Sequence, residues 1–203
     1  MKIIETRGAP NPRRVRIFLA EKGLSADFEH LDLMQGALKT PEFMAINPLQ
    51  QVPVLVLDDG SAITESIAIC RYFDELHPEP ALFGRGALGR AVVEMWGRRM
   101  EFGLFFPVAN VFRHLHPRMV NNEVPQVAAW GEANKPKVLE MLAFLDRRLG
   151  GSRFIAGPDY TIADITALVA VDFMKPARLE RPAGLGNLER WHGEVSARPS
   201  AAA

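Results

Sequence analysis

The fold class of this chain is decided by residues 52–66, which read VPVLVLDDGSAITES. Two apolar runs lie on either side of Asp58-Asp59-Gly60. This pattern predicts a β-hairpin, because an Asp-Gly pair suits the positive φ angles of a tight turn. An apolar helical pattern follows at once, and Ser66 suits the N-cap or the first turn of that helix. The stretch therefore predicts two antiparallel strands followed by a helix.

The residues before the hairpin predict a βαβ unit and a short helix. Residues 1–5 are β-branched and apolar, which is typical of a strand. Residues 13–22 carry an apolar helical stripe and end at Gly23, a favourable C-cap residue. Residues 28–33 predict a second strand, and Thr40 lies in a second helical piece. The order βαβ-α-ββα therefore predicts an α/β domain.

The rest of the chain predicts an all-α domain. Residues 78–88 hold prolines and glycines with little periodicity, which predicts a linker. After it no run of residues predicts a strand. We therefore assign residues 1–77 to the α/β domain and residues 89–203 to the helical one. Helices are expected over 92–112, 124–149 and 188–195.

Prolines and a capping pattern refine these helices. Pro107 predicts a bend in the first of them. Pro125 is expected in the first turn of the second, where a missing N–H costs little, and Pro136 lies inside that helix. Thr161-Ile162-Ala163-Asp164 has the form of a capping box, so a further helix is expected directly after it.

Composition limits the cellular compartment and the kinds of binding partner that we expect for this chain. Lys plus Arg and Asp plus Glu both number 24, so the formal net charge is zero, which argues against binding nucleic acid or a membrane through bulk charge. Cys70 is the one cysteine, which excludes an intrachain disulfide, a CxxC pair and a thiolate zinc site, and we expect it to be buried. The sequence shows no signal peptide and no membrane span. We expect a cytoplasmic protein.

Four stretches together resemble the soluble glutathione transferase superfamily over nearly the whole chain. Their order and spacing make the resemblance more specific than any one stretch does. The resemblance implies a thioredoxin-like N-terminal domain that binds glutathione, followed by an α-helical domain. The four stretches are PNPRRVRIFLAEKG (10–23), TPEFMAINPLQQVPVLVL (40–57), DGSAITESIAI (59–69) and FIAGPDYTIADI (154–165).

The resemblance implies two sites that hold the glutathione backbone. Val52-Pro53 looks like the family's Val-cis-Pro, which offers the N–H and C=O of Val52 to the cysteinyl unit of the ligand. Without the family context, an ordinary trans proline at a strand start would be favoured. Glu65 and Ser66 resemble the γ-glutamyl clamp, in which a carboxylate meets the ammonium and a hydroxyl meets the α-carboxylate. As an isolated pair they would be a helix cap.

The glycine end of glutathione needs a donor for its carboxylate. Gln51, beside Val52, and Lys39, before Thr40, occupy places where related proteins often supply one. The alternatives are a surface loop residue at Gln51 and a solvated surface charge at Lys39.

Activation of the glutathione thiol is where the sequence departs from most of the family. The Ser-type and Cys-type branches carry a donor six or four residues before a helix valine, which corresponds to Val15. Those positions hold Ala9 and Asn11, and no tyrosine occurs in the first 71 residues. Three interpretations stay open. In the first, the side-chain amide of Asn11 donates to the sulfur. In the second, main-chain N–H groups near Asn11 or an ordered water do so. In the third, the protein binds its ligand without catalysis.

The pattern Pro-x-Pro-x-Arg-Val-Arg-Ile resembles an atypical fungal and bacterial branch that also lacks the hydroxyl. In those relatives, groups of the helical domain are thought to position a water near the thiol. The counterpart here is His114, within Phe112-Arg113-His114-Leu115-His116-Pro117, so Asn11 and His114 are the candidate catalytic residues. The alternative for His114 is a helix cap or a surface residue.

The resemblance also implies an apolar pocket for a second substrate in the helical domain. Phe106 and Phe112, on either side of Val108, are candidates for its lining, although such a stripe is more often core. The predicted function is that of a homodimeric glutathione S-transferase that conjugates glutathione to a small hydrophobic electrophile in detoxification, without a metal. The alternatives are glutathione-dependent reduction of a peroxide or disulfide, and a non-catalytic glutathione-binding or interaction module.

Overall fold

The structure is a computed structural model that describes residues 1–203, apart from the side chain of Met34. The chain divides into two compact units, Met1–Ala81 with Pro199–Ala203, and Leu82–Arg198. The domain boundaries expected from the sequence, 1–77 and 89–203, stay a prediction. The last five residues belong to the first unit. No sequence pattern indicates that the chain returns to it.

A four-stranded mixed sheet organises the first unit, in the order β2-β1-β3-β4. β1 pairs in parallel with β2 and antiparallel with β3, and β3 pairs antiparallel with β4. The last two strands form the predicted hairpin, with Leu55 opposite Ile63. This sheet and its helices are the thioredoxin-like domain that the sequence predicts. The strands are β1 (Lys2–Glu5), β2 (Asp27–His30), β3 (Val54–Val56) and β4 (Ala62–Thr64).

Three α-helices complete the first unit. The first begins at Pro10, three residues before the predicted start, because proline at the first helical position lacks an N–H that would have no helical partner. The second is capped by Thr40, whose Oγ1 accepts from the N–H of Phe43 at 3.2 Å. The helices are α1 (Pro10–Glu21), α2 (Pro41–Ile46) and α3 (Ser66–Leu76), with 3₁₀ turns at Leu33–Gln35 and Ala37–Lys39.

The sheet is packed on both faces. Ile4 and Val54 point to one face, where they contact Leu38 and Phe43 in a buried cluster. Ile3 points to the opposite face because side chains alternate along a strand, and it is fully buried there. The helices α1 and α3 pack against each other. The starts of α1 and α3, which carry Asn11 and Ser66, are thereby fixed within one unit.

Lys22 joins the end of α1 to the segment that follows α3. Its ammonium is fully buried and contacts the Asp74 carboxylate at 2.5 Å. It also donates to the carbonyl oxygens of His77 and Pro80, at 2.7 and 2.6 Å. These three acceptors use all three donors of the ammonium, so the buried charge is compensated. Residues 77–80 are therefore tied to α1.

The second unit is helical, as predicted, and no strand occurs in Leu82–Arg198. Its central helix runs from Ile162 to Phe173, and its first ten residues are all buried. Trp191 packs in the same core with no exposed surface. The helices are α4 (Gly86–Met100), α5 (Phe106–Leu115), α6 (Ala128–Leu149), α7 (Ile162–Phe173) and α8 (Gly186–Ser196).

Three sequence-based boundaries differ from the structure. The long helix predicted over 92–112 lies within a helical run from Gly86 to Leu115, which contains a π-helical turn at Glu101–Phe105. The bend expected at Pro107 stays a prediction. Proline lies just after this turn, where the helical ladder is already altered. The strand predicted over 28–33 ends at His30.

The start of α6 is the third difference. Pro125 does not lie in its first turn, since Val127 is still extended and the helix begins at Ala128. The Val124–Pro125 peptide bond is cis. Pro136 does lie inside α6, as predicted. Among the helices described here, none is long and apolar enough to cross a membrane.

The predicted capping box at the start of α7 is confirmed. The Asp164 carboxylate accepts from the Thr161 N–H at 3.0 Å and from the Thr161 hydroxyl at 3.2 Å. Its other oxygen accepts from the N–H of Ile155 at 3.0 Å. Asp164 therefore joins the preceding loop to the helix start, which is a folding role rather than a chemical one.

Candidate functional site

Glu65 and Ser66, the predicted clamp, lie directly where the hairpin passes into α3. Glu65 is the N-cap, with φ +66° and ψ +116°, and its side chain is exposed. A non-glycine residue with positive φ is unusual and marks a strained turn of the kind found at binding sites. Ser66 is the first helical residue and only 4% exposed. The turn thus presents a carboxylate and a hydroxyl at a helix N-terminus.

Arg14 contacts the predicted clamp, and the sequence interpretation did not include it. It lies on α1, is 1% exposed, and its Nη1 donates to Ser66 Oγ at 2.9 Å. The signal was present in the sequence. Arg14 shares the buried helical stripe with Phe18, four residues further on, and a charged residue in an apolar stripe calls for a partner.

Asn11 is brought together with Ser66. The Ser66 hydroxyl donates to Asn11 Oδ1 at 3.5 Å, a long hydrogen bond. The first turn of α1 also has few donors. Pro10 and Pro12 have no N–H, and the N–H groups of Ala9 and Arg13 are used by the carbonyls of Thr6 and Ala9. Within the described chain, the N–H of Asn11 makes no hydrogen bond.

Val52 precedes β3, whose first residue Val54 pairs with Thr64 just before the clamp. The Val52–Pro53 peptide bond is cis, in agreement with the resemblance. The Val52 side chain packs against the buried cluster around Ile4. Among the hydrogen bonds of the described residues, none engages the N–H or C=O of Val52. These two groups can therefore pair with an extended ligand backbone.

Gln51 and Lys39 are both exposed at the surface of the first unit. The carbonyl of Gln51 accepts from the Asn47 side chain at 2.8 Å, which fixes the loop before Val52. Gln50 has φ +55°, so the chain turns sharply there. Lys39 ends the 3₁₀ turn that precedes α2.

His114 lies near the end of α5 in the second unit, with its side chain 11% exposed. Its Nδ1 accepts from the N–H of Val127 at 3.1 Å, which leaves the proton of the neutral ring on Nε2. Nε2 lies 3.7 Å from the Glu123 carboxylate, too far for a direct hydrogen bond. His114 therefore joins α5 to the start of α6 and keeps one N–H for a further acceptor.

Phe106 and Phe112 lie on different sides of α5. They are six positions apart on α5, which places their side chains about 120° apart around the helix axis. Phe106 is 56% exposed, whereas Phe112 is half-buried. Phe112 stacks on the His116 ring at 4.8 Å and contacts Phe173 at 5.0 Å between ring centroids. Phe112 thus belongs to an aromatic cluster at the end of α5.

The surroundings of the imidazole in that cluster favour its neutral form. Partial burial lowers the pKa of His116, and the positive charges of Arg178 and Arg118 lower it further. Its Nδ1 accepts from the N–H of Arg118 at 3.2 Å. An uncharged ring extends the apolar surface of Phe112 and Phe173 instead of interrupting it.

Cys70 takes no part in these arrangements. It is fully buried on α3, as expected, and burial raises the pKa of its thiol. A thiol held protonated in an apolar environment is neither a nucleophile nor a redox partner. Any thiolate chemistry at this site must therefore use a sulfur that the ligand brings.

Comparison with known proteins agrees with this arrangement. The family model for the glutathione S-transferase N-terminal domain matches residues 9–76, and that for the glutathione S-transferase C-terminal domain matches residues 128–194. The chain is 36% identical to "Glutathione S-transferase 2" of Saccharomyces cerevisiae, over 98% of this chain and 87% of that protein.

Two solved structures resemble the whole chain. One is a glutathione S-transferase domain-containing protein of Marinobacter aquaeolei VT8, with 40% identity, a TM-score of 0.95, and coverage of 98% of this chain and 99% of the other. The second is Gtt2 of Saccharomyces cerevisiae, with 36% identity, a TM-score of 0.95, and coverage of 100% and 99%. Sequence and fold agree over both units. The chain is therefore a member of the glutathione S-transferase family, in the Gtt2-like branch.

Proposed function

We propose that this protein is an enzyme that conjugates the thiolate of glutathione to a small hydrophobic electrophile. The observation that carries the proposal is the start of α1, which offers one unused main-chain N–H, that of Asn11, beside the Ser66 clamp. A thiolate needs a donor and a positive potential, and a helix N-terminus supplies both.

The tripeptide would be held at three places along its length. Its ammonium would meet Glu65 and its α-carboxylate would meet Ser66. The N–H and C=O of Val52 would pair with the cysteinyl unit as a short antiparallel β-addition. Gln51 and Lys39 would bind the glycine carboxylate from the exposed surface. In this extended arrangement the cysteine of glutathione lies between the two bound ends of the tripeptide. The contact of Asn11 with Ser66 supports a position of the thiol at the start of α1.

Catalysis would require no nucleophile from the protein. Stabilising the thiolate lowers the pKa of the glutathione thiol and raises the reactive fraction at neutral pH. Of the donors that the sequence leaves open, we assign this role to the N–H of Asn11, because its side-chain Oδ1 already faces Ser66. His114 would position a water through its free Nε2–H.

The electrophile would contact the second unit at the aromatic cluster of Phe112, His116 and Phe173. Flat apolar rings bind aromatic and other hydrophobic molecules by stacking and by exclusion of water. Phe106 lies on another side of α5 and would contribute less. The natural electrophile would be selected weakly, because an apolar surface discriminates between similar hydrophobic molecules by small energies.

We further propose that the protein is a cytoplasmic homodimer. An apolar groove of about 330 Å³ lies between the π-helical turn and α6. Phe102, at its edge, is 62% exposed, and an exposed apolar surface of this kind marks an interaction site. Lys137 and Glu140 lie in the same groove, so a two-fold related copy could pair each charge with the opposite one.

The direct test is binding followed by turnover. Retention on immobilised glutathione and conjugation of a generic aromatic electrophile would support the proposal. Replacing Ser66 with Ala should weaken glutathione binding, because it removes a partner of the α-carboxylate, and an unchanged dissociation constant would contradict the clamp. Turnover of peroxides or mixed disulfides alone would favour a reductase. Retention without any turnover would favour a binding module, and failure to bind glutathione would contradict all three.

A further inference from the structure

Arg14 is a buried cation next to the proposed clamp. Its side chain is 1% exposed, and Nη1 donates to Ser66 Oγ at 2.9 Å. A guanidinium stays charged at every pH at which proteins fold. Ser66 is a neutral hydroxyl, so this hydrogen bond does not itself neutralise the guanidinium. An anion bound on the other side of Ser66 would experience it at low local dielectric.

The hydrogen bond also fixes the direction of the Ser66 proton. A hydroxyl carries one proton and two lone pairs, and Arg14 occupies one lone pair. The proton must then point away from Arg14. Its acceptor in the structure is Asn11 Oδ1 at 3.5 Å, which is long for an O–H···O bond. A carboxylate arriving at Ser66 can therefore take this proton as a hydrogen bond at little cost.

We propose that Arg14 is a positioning residue for the α-carboxylate of glutathione. It holds the Ser66 hydroxyl as a donor and places a positive charge behind it, so that the ligand's carboxylate receives a polarised hydrogen bond. Hydrogen bonds that involve charged groups are shorter and stronger than neutral ones, and a chain of them is mutually polarising. The inference rests on the proposed function, since it assumes that glutathione binds at Glu65 and Ser66.

Arg14 joins the helix that carries Asn11 to the clamp residue Ser66. It projects from α1, whose first turn carries Asn11, and it reaches Ser66 at the start of α3. Because its Nη1 hydrogen bond goes to the Ser66 hydroxyl, which would hold the α-carboxylate, its effect should be on ligand binding rather than on the reacting sulfur. Loss of Arg14 should raise the KM for glutathione and leave kcat at saturating glutathione nearly unchanged.

The test compares glutathione with 4-aminobutanoyl-cysteinylglycine, the same tripeptide without the α-carboxylate, by calorimetric titration. The wild-type protein should prefer glutathione. Replacing Arg14 with Met should reduce that preference roughly tenfold or more, because a hydrogen bond to a charged group is lost, and should leave the affinity for the analogue unchanged. Arg14→Lys should give an intermediate preference, since it keeps the charge and loses the guanidinium geometry.

Arg13→Met is the matched control. Arg13 is the neighbouring residue on α1, and its guanidinium donates to the carbonyl of Ala201 at 3.1 Å instead of to Ser66. This variant should keep the wild-type preference. A folded Arg14 variant that keeps the full preference, or that loses equal affinity for both ligands, would overturn the inference.

Two further outcomes also have a clear interpretation. If Arg14→Met does not fold, the Arg14→Lys protein decides, and a preference equal to that of the wild type would count against the inference. If the wild-type protein binds neither ligand, the proposed function fails first, which distinguishes that failure from one confined to Arg14.

Discussion

The Asp164 carboxylate accepts a hydrogen bond from the indole Nε1 of Trp191 at 2.9 Å, and neither side chain is exposed to solvent. It also accepts from the N–H groups of Ile155 and Thr161. One buried group therefore joins the loop before α7, the start of α7 and α8. Burial raises the pKa of Asp164 to about 6, and its hydrogen bonds act in the opposite direction.

This buried carboxyl predicts a pH-dependent stability. Because its pKa is higher in the folded protein than the usual 3.8, the folded state binds the proton more tightly than the unfolded state. The contribution of Asp164 to stability should be complete below about pH 4 and should be lost as the pH rises through about 6. The change should reach at most about 3 kcal/mol. Urea unfolding over this pH range measures it.

Comparison with the Asp164→Asn variant isolates the contribution of this carboxyl to the pH dependence of stability. The difference in free energy of unfolding between wild type and variant should decrease with rising pH. Asp159→Asn is the control, because Asp159 is an exposed aspartate of the same loop. A difference that stays constant from pH 4 to pH 7, or that increases, would contradict the raised pKa.

The role of the Asn11 N–H predicts different outcomes for two substitutions. Asn11→Ala keeps the main-chain donor and should leave the pKa of bound glutathione nearly unchanged. Asn11→Pro removes that donor at a helical position where proline is tolerated, and it should raise the thiol pKa by about one unit and lower kcat accordingly. Thiolate absorbance of the bound glutathione against pH measures both values.

The comparison of the two variants decides which donor acts. A large rise in the thiol pKa with Asn11→Ala would assign the role to the side-chain amide. Unchanged values in both folded variants would exclude the α1 turn as the thiol site. Thermal unfolding of each protein shows whether proline has been accommodated.

The fold was largely predictable, since its signals are local. Asp59-Gly60 indicated the hairpin, and Thr161 with Asp164 indicated the start of α7. The π-helical turn before Pro107 was not predicted, because a proline indicates that the helical hydrogen bonds change nearby but not which kind of turn results. The return of Pro199–Ala203 to the first unit likewise has no local signal.

The candidate site was predictable only in part. Glu65, Ser66 and Val52 follow from motifs whose spacing is short. Arg14 was missed because its partner is 52 residues away in sequence, and only the packing of α1 against α3 brings the two together. Phe106 and Phe112 were grouped by composition, whereas helical geometry separates them.

His114 gives a prediction that separates structure from catalysis. His114→Ala leaves the Val127 N–H without its acceptor, which should lower the free energy of unfolding by about 1 kcal/mol. If Nε2 positions a water, kcat should also fall by at least about tenfold while glutathione binding stays unchanged. Glu123→Gln is the companion variant, since it alters the neighbouring carboxylate and keeps the hydrogen bond of Nδ1 to Val127. Full activity of His114→Ala would leave this histidine with its structural role alone.

The proposed dimer predicts that a polar side chain at position 102 shifts the protein toward a monomer. Phe102 is 62% exposed at the edge of the apolar groove, so its replacement costs the isolated subunit little. If a second copy covers the groove, Phe102→Ser removes buried apolar area worth about 2 kcal/mol in each subunit and should raise the dimer dissociation constant at least tenfold. Light scattering over a dilution series measures the constant. Val120→Ser also replaces an exposed apolar side chain by a hydroxyl, but Val120 lies outside the groove, so this variant should leave the constant unchanged. A wild-type protein that is monomeric at every concentration, or a Phe102→Ser protein that dimerises as tightly as the wild type, would show that the groove does not hold a second copy.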